Sequence, residues 1–360
     1  MKFISQVEPT ELIESFHENP PEDFTSIKID VDGNELHAFS MKFRLLTTVN
    51  KRIKNILKYI EFLIPKPRLL FIGTTVTEYS IFPKGIDVNK MCESILKKFS
   101  EIKSFIIVVK DIAMESPVLP KEDNQFTNEL IDRLKEKNFD IIYGEALAYV
   151  SIDFKSVDEF LSRFSRSRRK DFKRKLRSLS QVTIDQIHTG DEFFNEENVR
   201  FFYNLYLNVY NDSTIHFDKL TLSFFRSILQ NSTSGGVVFI YKHEDKIIGY
   251  NICFKAGDNL IDKYIGLIYP DAHNFSIYFI SWFYNLDYCI KNNIKLYIAG
   301  WSDPEVKSYL GAEFTFTFHA IYIANPIIRF IFKKTKFLFE SDKDVMENLD
   351  TLAKRRAAIH

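Results

Sequence analysis

A few side chains between residues 260 and 310 have the types and spacing for proton transfer at a polar centre. His273 carries the ring that titrates near neutrality, so it is a candidate general base; the plainer role is a helix-capping or loop histidine. Tyr278 follows about one and a half helical turns on, where it could protonate a leaving group, unless it is simply a core ring. Glu305 and Lys307 come just after Gly300, which ends an apolar run, and loops at strand ends commonly carry function. Glu305 would equally suit the positive end of a short helix. Lys307 could pair with a carboxylate or a phosphate if it points into a cleft. Asp262 and Tyr264 are two residues apart on a strand-like run, so the period-two rule places them on one face, opposite Ile261, Ile265 and Leu267. An acid on a central strand needs a partner, which makes Asp262 a site candidate.

A second kind of chemistry is offered upstream. From Arg163 to Arg177 there are nine basic residues and a single acid, Asp171. Leu161, Phe164, Arg168, Phe172, Leu176 and Leu179 recur at helical spacing, which predicts one helix over 156–179 with an arginine inside its apolar stripe. Ser156 and Glu159 form a capping-box pair at its start. Three roles compete: a solvated charged face, phosphate binding through Arg168, Arg169 and Lys173, and attraction to a membrane surface. A buried cation on the stripe must be paired.

The elements that position these groups alternate between strand and helix patterns, which argues for an α/β or α+β chain. Residues 26–31 and 35–43 read as a hairpin across Asp32-Gly33-Asn34. Helices are expected over 47–63, 89–101 and 124–137, with strands at 68–72, 104–109, 139–143 and 148–154. Downstream the order is strand 182–188, helices 198–209 and 219–230, strands 236–241, 247–254 and 260–269, helix 276–292, strand 294–298, helix 304–310 and strand 314–323.

Composition narrows the function classes. The 360 residues carry 48 Lys+Arg and 48 Asp+Glu, so a globally basic nucleic-acid binder is excluded, though a local basic patch is not. With 45% hydrophobic residues the chain is not a disordered one. Aromatics at 15% suit a large core, an aromatic cleft or an AT-rich coding sequence. Cys92, Cys253 and Cys289 are far apart, so neither a zinc site nor a disulfide framework is expected, and a reducing compartment fits. No signal-peptide pattern opens the chain, and no run is long and apolar enough to span a membrane. There is no P-loop and no GxGxxG motif.

The downstream element order is that of the GNAT acyltransferase fold. SRSRRKDFKRKLR, residues 165–177, resembles the basic signature opening the second domain of Fem-type aminoacyltransferases and their peptidoglycan-biosynthesis-like bacterial relatives. KYIGLIYPDAHNFSIYFISWFYNLDYCIKNNIKLYIAGW, residues 263–301, resembles the core of those relatives. Glu305, Lys307, Gly311 and His319 are similar to their Glu-His-Lys…Gly…His run, with Val306 where the middle histidine stands. The resemblance implies tandem GNAT-like domains, each a mixed, mostly antiparallel sheet flanked by helices. Residues 1–150 would be a degenerate first half, 151–330 the acyltransferase half and 331–360 a basic helical tail.

It further implies a cytoplasmic N-acyl or aminoacyl transferase without a metal. An activated acyl group would pass from acyl-CoA, acyl carrier protein or aminoacyl-tRNA to an amine-bearing substrate. The strands at 260–269 and 294–298 would lie parallel and splay apart as the donor slot. His273, Tyr278, Glu305 and Lys307 would converge on one cleft, and the basic helix would meet the tRNA or carrier. The turn Tyr269-Pro270-Asp271-Ala272-His273-Asn274 lacks the glycines of a pyrophosphate loop and carries an acid, which favours a donor other than acetyl-CoA. The rival classes are a catalytically inactive module that binds a glycan, lipid or protein, and an RNA-binding protein using the basic helix.

Overall fold

The computed structural model describes residues 2–42, 68–213, 217–340, 342, 343, 345 and 347. Thirteen strands form among them: β1 (Phe3–Ile4), β2 (Thr25–Val31), β3 (Asn34–Lys42), β4 (Arg68–Ile72), β5 (Phe82–Pro83), β6 (Ile106–Ala113), β7 (Asp140–Ser151), β8 (Thr183–His188), β9 (Gly236–His243), β10 (Lys246–Ala256), β11 (Asn259–Leu267), β12 (Leu296–Gly300) and β13 (Glu313–Ile323). Apart from β1 and β5, which pair with each other, they build a single mixed sheet ordered β2-β3-β4-β6-β13-β7-β12-β11-β10-β9-β8. The two parallel neighbours, β4 with β6 and β11 with β12, flank a central antiparallel pair of β13 and β7. Each parallel pair is followed outward by antiparallel strands, two beyond β4 and three beyond β11, and the two halves share one sheet rather than owning one each.

The halves also exchange strands. β13 arrives last in the chain yet pairs β6, with Ala320 opposite Val109, and β7 leaves the first half to pair β12, with Tyr297 opposite Val150. The division at residue 150 is thus crossed by β13.

Most elements form where their apolar patterns place them. β9 is apolar on both faces: Val237, Phe239 and Tyr241 pack toward helix Ile277–Lys291, and Val238 and Ile240 toward helices Glu196–Asp212 and Leu222–Leu229. Such two-sided burial is what a central strand requires. The β2–β3 turn puts Asp32 and Gly33 at φ 52° and 83°, the left-handed pair of a tight hairpin. The strand expectations at 139–143 and 148–154 merge into the single β7.

The helix expected over 156–179 breaks in two, Val157–Ser162 and Arg166–Lys175, before a 3-10 turn, Leu176–Gln181. Ser165 causes the break, because its hydroxyl accepts from the Arg168 N–H and starts a new helix. Leu179 is consequently exposed rather than on a buried stripe. Glu159 reaches back to the N–H of Lys155, one residue before the Ser156 cap. The helix expected at 47–63, residue 43 of the hairpin and residues 341, 344, 346 and 348–360 of the tail lie outside the described residues.

Candidate active site

β11 and β12 run parallel only through Asn259, Leu260 and Ile261, paired with Leu296, Tyr297 and Ile298. Beyond that point β11 continues with β10 while β12 continues with β7, so the two strands part. At the parting, Ile252 faces Tyr264 and Cys253 faces Asp262, which leaves Lys263 as an extra residue on β11. A bulge of this kind re-aims the side chains around it.

Asp262 therefore points toward helix Ile277–Lys291. Its carboxylate accepts from Tyr297 Oη at 2.6 Å, Asn251 Nδ2 at 2.6 Å and Asn285 Nδ2 at 3.3 Å. Burial pushes this carboxyl above the usual aspartate range despite those donors. Tyr264 turns to the opposite face, against the rings of Phe224 and Phe225, and is a core residue. The expectation that Asp262 and Tyr264 share a face fails because the bulge inserts a residue between them.

Lys263 is nearly inaccessible and ion-pairs with Glu8, at 3.0 Å, and with Glu78. Both acids come from the first half and are as buried as the lysine. Burial alone would lower the Lys263 pKa, but the two carboxylates outweigh it and raise it. Lys307 is 4% exposed. Its Nζ donates to the carbonyls of Ala299, at 2.6 Å, and Trp301, at 3.0 Å, where β12 ends. Burial drags this ammonium down to about 8, although Asp262, Glu78, Asp303 and Asp342 oppose the shift. Tyr278 feels Asp262 and Asp303 as well, and burial raises its phenol. Tyr278, Asp262 and Lys307 thus belong to one electrostatic neighbourhood at the parting of the strands.

The other candidates lie apart from this group. His273 is exposed, with its ring 4.6 Å from that of Tyr269. Glu305 is exposed on the first turn of helix Pro304–Leu310. Of the four residues expected in one cleft, Tyr278 and Lys307 both feel Asp262 and Asp303, while His273 and Glu305 lie at the surface. Two of the three cations expected at donor phosphates are spent on backbone. Arg168 turns inward, its guanidinium over the rings of Phe164 (4.2 Å) and Tyr309 (4.9 Å), and donates to the carbonyls of Ser308, at 2.7 Å, and Tyr309. It closes the C-terminal end of helix Pro304–Leu310, where a cation is favoured. Arg169 donates to the carbonyls of Ser162 and Phe164, ending the helix before its own. Lys173 lines a shallow concavity of about 530 Å³ with Arg177, Ser156, Asp158 and Asp287.

A further charged group adjoins the site from the first half. Lys110 pairs with Asp111 and lies 3.8 Å from the ring centre of Trp301, whose carbonyl holds Lys307. Asp111 accepts from Thr317 Oγ1 at 3.0 Å, and burial pulls the neighbouring His319 ring down to about 4. Burial raises Glu145 to about 7, beside Asp342. A charged pair, Lys110-Asp111, inside the apolar strand IIVVKDIA was the sequence signal for this group. Glu8 and Glu78 sit in no comparable pattern.

The turn that stands where a pyrophosphate would dock is already satisfied. The N–H groups of Ala272, His273, Asn274, Phe275 and Ser276 all donate to carbonyls between Ile268 and His273. Helix starts hold anions through free N–H groups, and this turn has spent these five.

The family model FemAB-like, described as peptidoglycan biosynthesis/recognition, matches residues 101–358. The chain belongs to the FemAB-like family. Its fold is also that of several solved structures. The C-terminal domain of a putative lysylphosphatidylglycerol synthetase from Agrobacterium fabrum superposes with a TM-score of 0.55 at 9% identity, covering 91% of this chain and 90% of that one. L-PGS from Bacillus licheniformis gives 0.52 at 10% identity, covering 92% and 96%. FemX gives 0.51 at 12% identity, covering 92% and 99%. No curated protein matches the chain in sequence. The FemAB-like protein is thus a mixed α/β molecule with one large sheet flanked by helices, a fold it shares with FemX, L-PGS and the putative synthetase domain.

Proposed function

We propose that this FemAB-like protein transfers an activated acyl or aminoacyl group from an ester or thioester to an amine. The observation that carries the reading is Lys307, a buried amine brought down to about 8 beside Asp262 where β11 and β12 part. A general base works best with a pKa near the working pH. The acceptor nitrogen attacks the donor carbonyl carbon and gives up a proton to Lys307 or Asp262. The carbon–oxygen or carbon–sulfur bond then breaks, and the leaving atom takes a proton from Tyr278. Past Ile261 and Ile298 each strand turns unladdered backbone toward the gap, a source of donors for the oxyanion.

Charge supports an amine-bearing substrate. Among the described residues, Glu8, Glu78, Asp111, Glu145, Asp218, Asp262, Asp303 and Asp342 outnumber Lys110, Lys263 and Lys307 across these linked groups. Such an excess of acid favours a cationic amine. The satisfied turn at Ala272–Ser276 supports aminoacyl-tRNA or an acyl carrier protein over a donor anchored by the CoA pyrophosphate. The acceptor would be the amine of a peptidoglycan-type peptide, in keeping with the family, and donors of these classes would be met in the cytoplasm. The solvent-facing cations Arg166, Lys170, Lys173 and Arg177 would meet the polyanionic donor.

A thermal-shift panel of acetyl-CoA, long-chain acyl-CoA, acyl carrier protein and aminoacyl-tRNA tests the reading. A ligand at about 100 times its dissociation constant stabilises by about 2.7 kcal/mol. The expected responders are the tRNA or the carrier protein, followed by transfer of the labelled acyl group to a peptidoglycan peptide amine. A panel without a response, and no transfer from any donor, would leave a binding module in place of an enzyme.

A further inference from the structure

Five of the ten large apolar side chains exposed among the described residues fall within eleven positions: Ile327, Ile328, Phe330, Ile331 and Phe337. They lie on helix Pro326–Thr335 and the 3-10 turn Lys336–Phe339 that follows it. The helix start is well fixed, because Asn325 Oδ1 accepts from the N–H groups of Ile327 and Ile328 at 2.9 and 3.1 Å, and Pro326 occupies the first turn.

The helix is turned the wrong way round for a water-facing surface. Its inner side carries Arg329, which donates to the Ile323 carbonyl at 2.8 Å and covers the Tyr322 ring, and Phe332, which meets Phe339. Its outer side carries the isoleucines and Phe330, with Ile327 70% and Phe330 62% exposed. A surface helix of a globular protein normally buries that stripe. No acid occurs from Pro326 to Phe339, whereas Arg329, Lys333, Lys334 and Lys336 do. Lys334 sits 5.8 Å from the Phe330 ring, within the apolar face itself.

We propose that this face lies in the interfacial layer of an anionic lipid membrane, holding the protein there peripherally. The pattern fits that partner on two counts: apolar side chains face outward to enter the headgroup boundary, and cations among them meet anionic lipid. No helix among the described residues is long and apolar enough to cross a membrane, so the attachment is in-plane. The inference is independent of the transfer reaction.

Vesicle co-sedimentation of the full chain tests it, using phosphatidylcholine with and without phosphatidylglycerol. Wild type is expected to bind the anionic vesicles and to bind neutral ones about tenfold more weakly. The triple variant Ile327→Ser, Phe330→Ser, Ile331→Ser should lose binding with an unchanged melting temperature, since all three side chains are exposed. Lys334→Glu with Lys336→Glu should weaken anionic binding by at least about tenfold while leaving the apolar face intact. Failure of wild type to sediment with either vesicle overturns the proposal. So does a triple variant that binds like wild type. A wild-type dimer that the triple variant converts to monomer, with neither binding vesicles, also overturns it by making the face an interface between copies.

Discussion

Replacing Lys307 by Met should change how stability depends on pH. In the unfolded chain a lysine holds its proton to about 10.5. In the folded protein burial brings the same group to about 8. Between these values the unfolded state binds more protons, so wild-type stability rises with pH there. Below pH 8 both states are charged, and the folded one bears the cost of a buried ammonium that two carbonyl bonds and the nearby carboxylates offset only in part. Above 10.5 neither is charged and that cost vanishes. The difference of about 2.5 units corresponds to roughly 3 kcal/mol. Lys307→Met also loses the bonds to Ala299 and Trp301, but that loss is nearly independent of pH, and every other lysine cancels between the two proteins. Urea unfolding of both proteins at pH 7, 8, 9, 10 and 10.5 gives the difference directly. Wild type should gain on the variant by roughly 3 kcal/mol across the series. A flat difference would refute the buried, weakly supported ammonium. A decline would show that Asp262, Glu78 and Asp342 dominate and hold the charge on.

Asp262→Asn should slow single-turnover acyl transfer by about a hundredfold or more while leaving donor affinity in place, since a proton-transfer group is removed; an unchanged rate would remove Asp262 from the mechanism. Glu78→Gln should destabilise the protein by roughly 3–5 kcal/mol in urea unfolding, because Lys263 would be left buried with a single carboxylate. Arg168→Ala should lower stability by about 1–3 kcal/mol through the uncapped carbonyls of Ser308 and Tyr309 and leave donor binding unchanged. Loss of donor binding at an unchanged melting temperature would instead return Arg168 to a phosphate-holding role.

Much of the second half of the chain was legible because β9, β10 and β12 carry buried runs and helices Glu196–Asp212 and Leu222–Leu229 begin at Asn195 and Thr221 caps. The pattern of β9, β10 and β12 admits one reading, and the parallel pairing of β11 with β12 followed from the helix that connects them. The bulge was hidden. A strand reading Leu-Ile-Asp-Lys-Tyr-Ile alternates plausibly with or without an extra residue, and only the partner strand reveals that Lys263 is the one inserted. The partners of Lys263 were hidden for a different reason: Glu8 and Glu78 stand 255 and 185 residues away, and nothing in their surroundings sets them apart. Ser165 illustrates local competition, since a continuous apolar stripe was interrupted by a side chain able to start a helix of its own. Lys110-Asp111 was open to view, as two charges in an otherwise apolar strand, and its neighbourhood with Trp301 was not.

The strand exchange has a consequence for biosynthesis. When Ser151 has left the ribosome, β6 and β7 both exist, but the strand that belongs between them does not. It is made roughly 160 residues later, as β13. At typical elongation rates of about 5–20 residues per second the gap stays open for about 8–30 s. Throughout that interval two strand edges present unpaired N–H and C=O groups, the template on which foreign strands add. The nascent first half should therefore be open to strand addition at those edges until β13 arrives. A chain cut short before Glu313 should misassemble rather than yield an independently folded half.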